Sequence, residues 1–425
     1  MLVVGAGIAG MQVALDIAGA GHEVVVVERL PSIGGRMAQL AETFPTLDCA
    51  QCILTPRTVD VGHHEKIRLI TYAEVEAIEG EVGDFRARIR RRRTYVDWDA
   101  CTGCGLCQEK CPTRVTSEFE RGVGERKAIY TLSPQAVPNR PVIDAEHCLW
   151  IQRGKCGACQ KLCPVGAIDF EQEEETIEVA CSAVVLAPGY ALYGLENLPE
   201  YGGGTVPAVI DTLAFERVLS SSGPTTGKIR RPSDGREPQE VVFIQCAGSR
   251  DPQKHLSYCS KVCCMVVAKQ ATLYRHRVHG GQAYVFYIDI RAGGKGYDEF
   301  TQRAMEDENV VYKRGKVSRL FRDGDRVVVC GADTLSNQQV KIAADLVVVA
   351  PALRPHADTA RLARMLGLPT DKDGWLVPVD GKVRPLETER EGIFLAGAAT
   401  GPADIAETVA QASGAAAHAL IVLSR

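Results

Sequence analysis

The sequence predicts an α/β protein with two dinucleotide-binding-type domains, the first split and carrying a small cysteine-rich insert. Three observations carry this. The chain opens "MLVVGAGIAGMQVALDIAGAGHEVVVVER", a strand, glycine turn, helix and second strand in succession. Between residues 96 and 175, eight cysteines fall in two tight runs. Beyond residue 236 the strands "EVVFIQC", "AYVFYIDI", "RVVVCG" and "ADLVVVAP" mark a further α/β unit, after which sequence of the first kind resumes.

In the opening unit Gly5 permits a tight turn, Gly7 lets a pyrophosphate approach the backbone, and Gly10 lets the helix pack on the strand. The helix N-terminus offers free N–H groups and a positive dipole end to phosphate. Glu28 ends the second strand, where an acid binds ribose hydroxyls. A bare glycine pattern also suits an ordinary tight turn, but the flanking βαβ pattern and the acid favour dinucleotide binding.

The 425 residues give room for two or three domains. Apolar content of 45%, charge of 24% and a net charge of −4 describe an ordinary globular chain and give no argument for nucleic acid as a partner. The arginine run from Arg86 to Arg93 alternates in part with apolar residues and reads as a solvated strand face. Entry into a buried strand within three residues predicts no cleavable basic leader. No stretch of about 18 apolar residues lacks charge or proline, so no direct membrane insertion is expected. Sixteen cysteines in tight groups favour metal ligation in a reducing compartment over a disulfide framework and point to a cytoplasmic location.

In "PSIGGRMAQL", Gly34, Gly35 and Arg36 resemble the second flavin motif of two-dinucleotide-domain flavoproteins, which implies FAD at the first site. Two later segments agree: "ACSAVVLAPGY", ending at Gly189 and Tyr190, and "GIFLAGAATGPADIAETVAQASGAAAHA", from Gly392. In the FAD folds resembled, such strands return to the same sheet and the last helix points at the flavin. Where those folds carry Gly-Asp this chain has Gly397-Ala398, which leaves the ribityl or phosphate contact to backbone or to Asp404. The order resembles thioredoxin-reductase-like proteins. It predicts FAD-binding parts at 1–95, 176–235 (with a linker) and 351–425, a ferredoxin-like insert at 96–175, and a nicotinamide-domain-like unit at 236–350.

In the insert, "CTGCGLCQEKCP" supplies Cys101, Cys104, Cys107 and Cys111, and "CLWIQRGKCGACQKLCP" supplies Cys148, Cys156, Cys159 and Cys163. Each run closes with Cys-Pro, as in two-cluster ferredoxins, where the fourth cysteine ligates the other cluster. One [4Fe–4S] cluster is therefore expected on Cys101, Cys104, Cys107 and Cys163, and the other on Cys148, Cys156, Cys159 and Cys111. The wider first gap of the second run requires a bulged loop, and zinc is the competing reading.

The segments quoted, with "TFPTLDCAQCILTPRTVDVG", "RKAIY", "PQAVPNRPVID", "FERVLSSSGP", "FIQCAGSRD", "YCSKVCCM" and "DIRAGGKGYDEF", together resemble the A subunit of heterodisulfide reductase along the whole chain. Members often carry an extra N-terminal domain and a C-terminal ferredoxin domain, so the resemblance is to the compact versions. It implies a flavin and iron–sulfur oxidoreductase subunit that bifurcates or confurcates electrons within a larger complex. The implied partners are B- and C-type subunits and an electron-input subunit, with dimerisation inside the complex. A non-bifurcating relay in a quinone-linked or reductase-linked complex is the alternative. A pyridine-nucleotide disulfide oxidoreductase would need a glycine loop where this chain has Cys246.

Cys246, Cys259, Cys263 and Cys264 stand where a nicotinamide loop would stand, and they match the family's unusual cluster motif. The expectation is a third [4Fe–4S] cluster near the flavin; a structural disulfide is the bland alternative. Cys49 and Cys52 read as a redox dithiol, as substitute ligands, or as buried thiols. Lys269, in a helix beyond Cys264, reads as an ammonium aimed at the flavin and held by Glu216, against a reading of both as surface charges. Cys181 and Cys330 read as core packing.

Overall fold

In the computed structural model, which describes residues 1–424, the apolar strands seen in the sequence form two parallel sheets in two units. The first unit comprises Met1–Ala38, Cys52–Tyr190 and Pro355–Arg425. Its five-stranded sheet has the order Ile393–Leu395, Val184–Leu186, Leu2–Val4, Val24–Glu28, Ile67–Thr71, every pair parallel. Leu2, Val3, Val184 and Leu186 have no exposed surface, as parallel strands covered on both faces require. Helix Ile8–Gly19 packs beside helix Ile405–Leu423, where Ala412, Ala415, Ala416 and Ala419 are buried and Ser413 Oγ donates to Asp16 at 2.7 Å. Among the described residues, Ile405–Leu423 is the one helix long and apolar enough by composition to cross a membrane. Its buried alanine face is also what packing against a neighbouring helix requires.

The arginine run lies in strand Asp84–Arg91, between Ala73–Glu81 and Glu175–Cys181. Phe85, Ala87 and Ile89 enter the core, while Arg90 pairs with Glu74, Glu76 and Glu174 on the outer face. Alternation along one strand thus separates the two sets. The insert has two small two-stranded sheets and three five-residue helices, Leu106–Lys110, Leu149–Arg153 and Ala158–Leu162. Its main apolar cluster is small, Val96, Ile129, Ile143, Ala167 and Ile168, with Cys101, Cys107, Cys111, Cys148, Cys159 and Cys163 packed around it. So small a core needs a staple, and the cysteines stand where one would bind.

The second unit comprises Gln39–Gln51 and Ala191–Arg354. Its parallel sheet runs Val209–Asp211, Leu346–Pro351, Glu240–Ala247, Gln282–Tyr287, Val311–Arg314, with an antiparallel meander, Val317–Asp323, Arg326–Asp333 and Gln338–Ala344. Residues 39–51 and 191–235, which the sequence reading assigned to flavin-binding segments, pack with this unit. Polar groups explain the first case. Glu216 accepts from the Ala41 N–H at 3.0 Å, Lys269 donates to the Glu42 carbonyl at 2.6 Å, and Arg217 donates to the Gln39 carbonyl at 3.3 Å. Phe44 meets Tyr297 edge to face at 5.5 Å.

Lys269 and Glu216 are each 1% exposed, with Nζ and Oε1 2.7 Å apart. They are therefore not surface charges. Removing one partner strands the other as a buried charge, so Lys269→Met should destabilise the chain by about 3–5 kcal/mol in urea unfolding. Lys269→Met with Glu216→Leu should recover only part of the loss, because the Ala41 N–H and Gln270 also lose their acceptor.

Candidate functional site

The glycine loop is set by close backbone approaches. A Cβ on Gly5 would lie 2.2 Å from the Ala187 carbonyl oxygen, and one on Gly10 would lie 1.8 Å from that of Gly5. Gly7 differs: its φ is −72°, and a Cβ there would meet only the Gly35 Cα, at 3.8 Å. Gly7 begins helix Ile8–Gly19 with no side-chain cap, so the first N–H groups remain open to an anion. Gly35, at φ +55°, would bring a Cβ within 2.8 Å of the Gly7 Cα, so the two glycines form a cradle that side chains would fill. These features fit a dinucleotide pyrophosphate.

Around the cradle, Gly34 takes a φ of +117° and Gly189 one of +70°. Arg36 lies 6.0 Å from the Tyr190 ring centroid, and a Cβ on Gly397 would lie 2.9 Å from that of Ala9. The structure thus brings Gly5, Gly7, Gly10, Gly35 and Gly397 to the start of one helix from three stretches of chain. Two acids do more local work than the sequence suggested. Glu28 Oε2 accepts from the Ala6 N–H at 2.8 Å and Oε1 from the Leu30 N–H at 2.9 Å, shaping the loop. Burial raises its pKa although those N–H groups oppose the shift. Asp404 caps the last helix, accepting from the Glu407 N–H at 2.8 Å in a reciprocal capping box.

In the insert, one small cavity is lined by Cys111, Cys148, Cys156 and Cys159, with Ile129, Ile143, Leu149 and Trp150 among its apolar walls. These four thiols are the crossed quartet expected from spacing. Cys101, Cys159 and Cys104 lie electrostatically close to Cys107, and Cys148 and Cys111 close to Cys159, so the two quartets adjoin. Burial pushes Cys107 up to about 12 and Cys159 up to about 11. Among the described residues no three His, Cys, Asp or Glu side chains are drawn together tightly enough to hold a single metal ion. Four thiols around one apolar cavity are the donor set that an iron–sulfur cluster takes. The sequence reading missed Lys127, whose Nζ donates to the Cys111 carbonyl at 2.5 Å from within "RKAIY".

In the second unit, central strand Glu240–Ala247 carries Cys246 as its penultimate residue, at φ +58° and within a register shift in its pairing with Leu346–Pro351. Helix Cys263–Arg277 begins with the cysteine pair and has no side-chain cap. Hydrogen bonding from the Cys263 thiol holds Cys246 down to about 7 against burial, helped by the Arg250 guanidinium. The same thiol lowers Cys264, and its own pKa rises well above the usual value because both neighbours draw on its proton. The Arg291 N–H donates to Cys264 Sγ at 3.4 Å, and Lys261 N–H to Cys259 Sγ at 3.3 Å. Cys259 and Cys246 both lie close enough to Arg250 to raise its pKa. Two buried donors here lack a partner: Arg250 Nη1 and Gln245 Nε2. Buried donors without partners, on a guanidinium near Cys246 and Cys259 and on an amide 3.6 Å from Cys264 Sγ, fit a cluster bearing acceptor sulfides.

Lys269 turns its amine to Glu216 and the Glu42 carbonyl. Cys49 packs with the second unit and Cys52 with the first, both exposed. Cys181 is buried in its strand and Cys330 half-buried.

Comparison with known proteins matches residues 100–167 to a 4Fe-4S dicluster domain and residues 3–61 to an NAD(P)-binding Rossmann-like domain. The chain is 45% identical, over its whole length, to the iron-sulfur A subunit of the CoB–CoM heterodisulfide reductase of Methanocaldococcus jannaschii, covering 64% of that protein. It is 44% identical over 99% of its length to the A subunit of the H2:CoB–CoM heterodisulfide,ferredoxin reductase of Methanothermobacter thermautotrophicus, covering 63% of it. This chain belongs to the family of heterodisulfide reductase A subunits. A protein of Archaeoglobus profundus named as similar to that A subunit, 42% identical and 66% covered, falls in the same group. The chain thus spans somewhat under two thirds of the length of the first two relatives. The thioredoxin reductases of T. acidophilum and Lactococcus lactis superpose with TM-scores of 0.55 and 0.54, each at 14% identity, over all of this chain and 98% of theirs. That likeness establishes the thioredoxin-reductase-like fold, into which this heterodisulfide reductase family member sets its dicluster domain.

Two tests address these sites. Gly7→Val should retain the wild-type far-UV circular dichroism but lose co-purifying FAD, because the protein accommodates the side chain and a pyrophosphate would not. Gly10→Val should misfold, since its Cβ collides with backbone. In the insert, Cys111→Ser should perturb the same cluster signal in electron paramagnetic resonance as Cys148→Ser, while Cys163→Ser perturbs the other. Pairing of Cys111 with Cys101 in that assay would overturn the crossed assignment.

Proposed function

We propose that this chain is the FAD and iron–sulfur oxidoreductase component of a heterodisulfide-reductase-like complex, bifurcating or confurcating electrons there. The observation that carries the reading is Cys246 at the end of the central strand of the second parallel sheet. Thiols occupy the turn where a nicotinamide-binding fold would place its glycine loop. FAD, when bound, supplies conversion between paired and single electron transfer.

The chain's own residues do the holding. The open N-terminus of helix Ile8–Gly19, with Gly7 and Gly35, binds pyrophosphate, and Gly34, Arg36, Gly189 and Gly397 complete the flavin site. Cys101, Cys104, Cys107 and Cys163 hold one cluster, Cys111, Cys148, Cys156 and Cys159 a second, and Cys246, Cys259, Cys263 and Cys264 a third. Lys269 and Glu216 act as positioning residues: they fasten the segment that follows flavin-motif residue Arg36 in sequence. The relatives' names speak of a CoB–CoM heterodisulfide and of ferredoxin. For this chain we infer B- and C-type partner subunits, an electron-input subunit, dimerisation within the complex, and a reducing cytoplasm.

Potentiometric titration of the flavin in the purified complex tests the reading. Crossed one-electron couples are the expected result, and well-ordered couples would make this chain a relay. Mixing the isolated chain anaerobically with NADH in a stopped-flow spectrometer should leave the flavin oxidised, and rapid bleaching would overturn the replacement of the nicotinamide site.

A further inference from the structure

Gln245 and Arg250 flank Cys246 in "FIQCAGSRD", and neither has a part in the function so far. Gln245 is 4% exposed, and its Oε1 accepts from the Cys264 thiol at 3.6 Å. Nε2 is buried without a partner; once Cys264 gives up its proton to become a ligand that bond is lost, and the amide turns Nε2 to the sulfur instead. Arg250 is anchored by Asp289, with Nη2 to Oδ2 at 2.5 Å, while Nη1 is likewise buried and unpartnered. The guanidinium lies within electrostatic reach of Cys246 and Cys259. A buried donor without an acceptor is costly, and although the Arg250 guanidinium already hydrogen-bonds Cys246, its Nη1 and the Gln245 Nε2 are left without one. A disulfide would remove acceptor capacity. A lone zinc would bring no sulfide. An iron–sulfur cluster presents both thiolate and inorganic sulfide acceptors.

From this we infer that Arg250 and Gln245 donate hydrogen bonds to the sulfurs of a cluster on Cys246, Cys259, Cys263 and Cys264, and that the Arg250 charge raises its reduction potential. The inference rests on the reading of those cysteines as ligands. Reduction adds one electron to the cluster and breaks no bond, so the reduced form is the more negative and gains more from a fixed cation. Asp289 offsets part of that charge, and Arg291 and Arg314, which also lie near Asp289, counter Asp289 in turn.

The test uses the full chain, anaerobically reconstituted and reduced stepwise with dithionite under electron paramagnetic resonance. A Cys263→Ser, Cys264→Ser double variant identifies the insert's signals. Wild type should hold about twelve irons and the double variant about four fewer. Arg250→Met should keep its iron but shift the one-electron equilibrium of this cluster about tenfold toward the oxidised form, ~59 mV. Arg250→Lys should restore most of the shift. In wild type labelled with guanidino-¹⁵N arginine, pulsed spectra should show a nitrogen coupling to this cluster that Arg250→Lys lacks. An iron-replete Arg250→Met with an unchanged potential would overturn the inference. If that variant loses its cluster, the labelled wild type decides: a coupling supports the inference and its absence overturns it. About eight irons in wild type would instead sink the ligand reading and, with it, the inference.

Discussion

The parallel sheet of the first unit is the constraint from which the rest follows. Parallel strands cannot be joined by tight hairpins, and both their faces must be covered. Its strands come from residues 2–28, 67–71, 184–186 and 393–395, so the chain leaves the sheet and returns repeatedly. One excursion carries the cysteine insert, and the next carries most of the second unit. The return is closed backbone against backbone, with the Ala187 N–H donating to the Val4 carbonyl at 2.8 Å beside Gly5. The shape of the anion-binding loop is thereby tied to the strand that comes back from the insert.

The two cysteine-rich regions meet the problem of burying sulfur in different ways. In the insert, burial alone dominates and keeps Cys107 and Cys159 protonated, so a cluster must displace those protons on binding. In the second unit, a shared proton on Cys263, the Arg250 guanidinium and backbone N–H groups stabilise negative charge on Cys246 and Cys264 before anything binds. The first arrangement is a small core awaiting its filling. The second is a prepared anionic site at a strand end and a helix start, where the helix dipole favours thiolate.

Periodicity and glycine placement made most of the fold legible. Apolar strands bounded by turns mark both sheets, and the arginine run alternates as an outward strand face must. The cysteine runs were legible because cluster ligands need fixed spacing. Segment Gln39–Gln51 was not, since its place depends on Lys269, Glu216 and Arg217, more than 170 residues away in the chain. Asp404 stood as an alternative contact to the ribityl or phosphate chain, but at a helix start an aspartate is first an N-cap. Gln245 and Arg250 stood inside a quoted motif, yet orphaned donors are visible only once neighbours are placed.

Lys269 shows how a buried charge can be structural and still serve a site. An ion pair with 1% exposure on both sides stabilises little by itself, because desolvation offsets attraction. What it does is specify. Glu216 spreads its acceptors over Lys269, Gln270 and the Ala41 N–H, and Lys269 reaches on to the Glu42 carbonyl. A segment with little regular structure thus has its backbone groups satisfied by two helices of the second unit, Thr212–Leu219 and Cys263–Arg277. The second of those helices begins with Cys263 and Cys264, and the fastened segment continues directly from the loop of Gly34, Gly35 and Arg36. One helix therefore fixes both the thiol pair at its start and the stretch of chain that follows the flavin motif. Apolar residues at 216 and 269 would fill the same volume without that polar specificity.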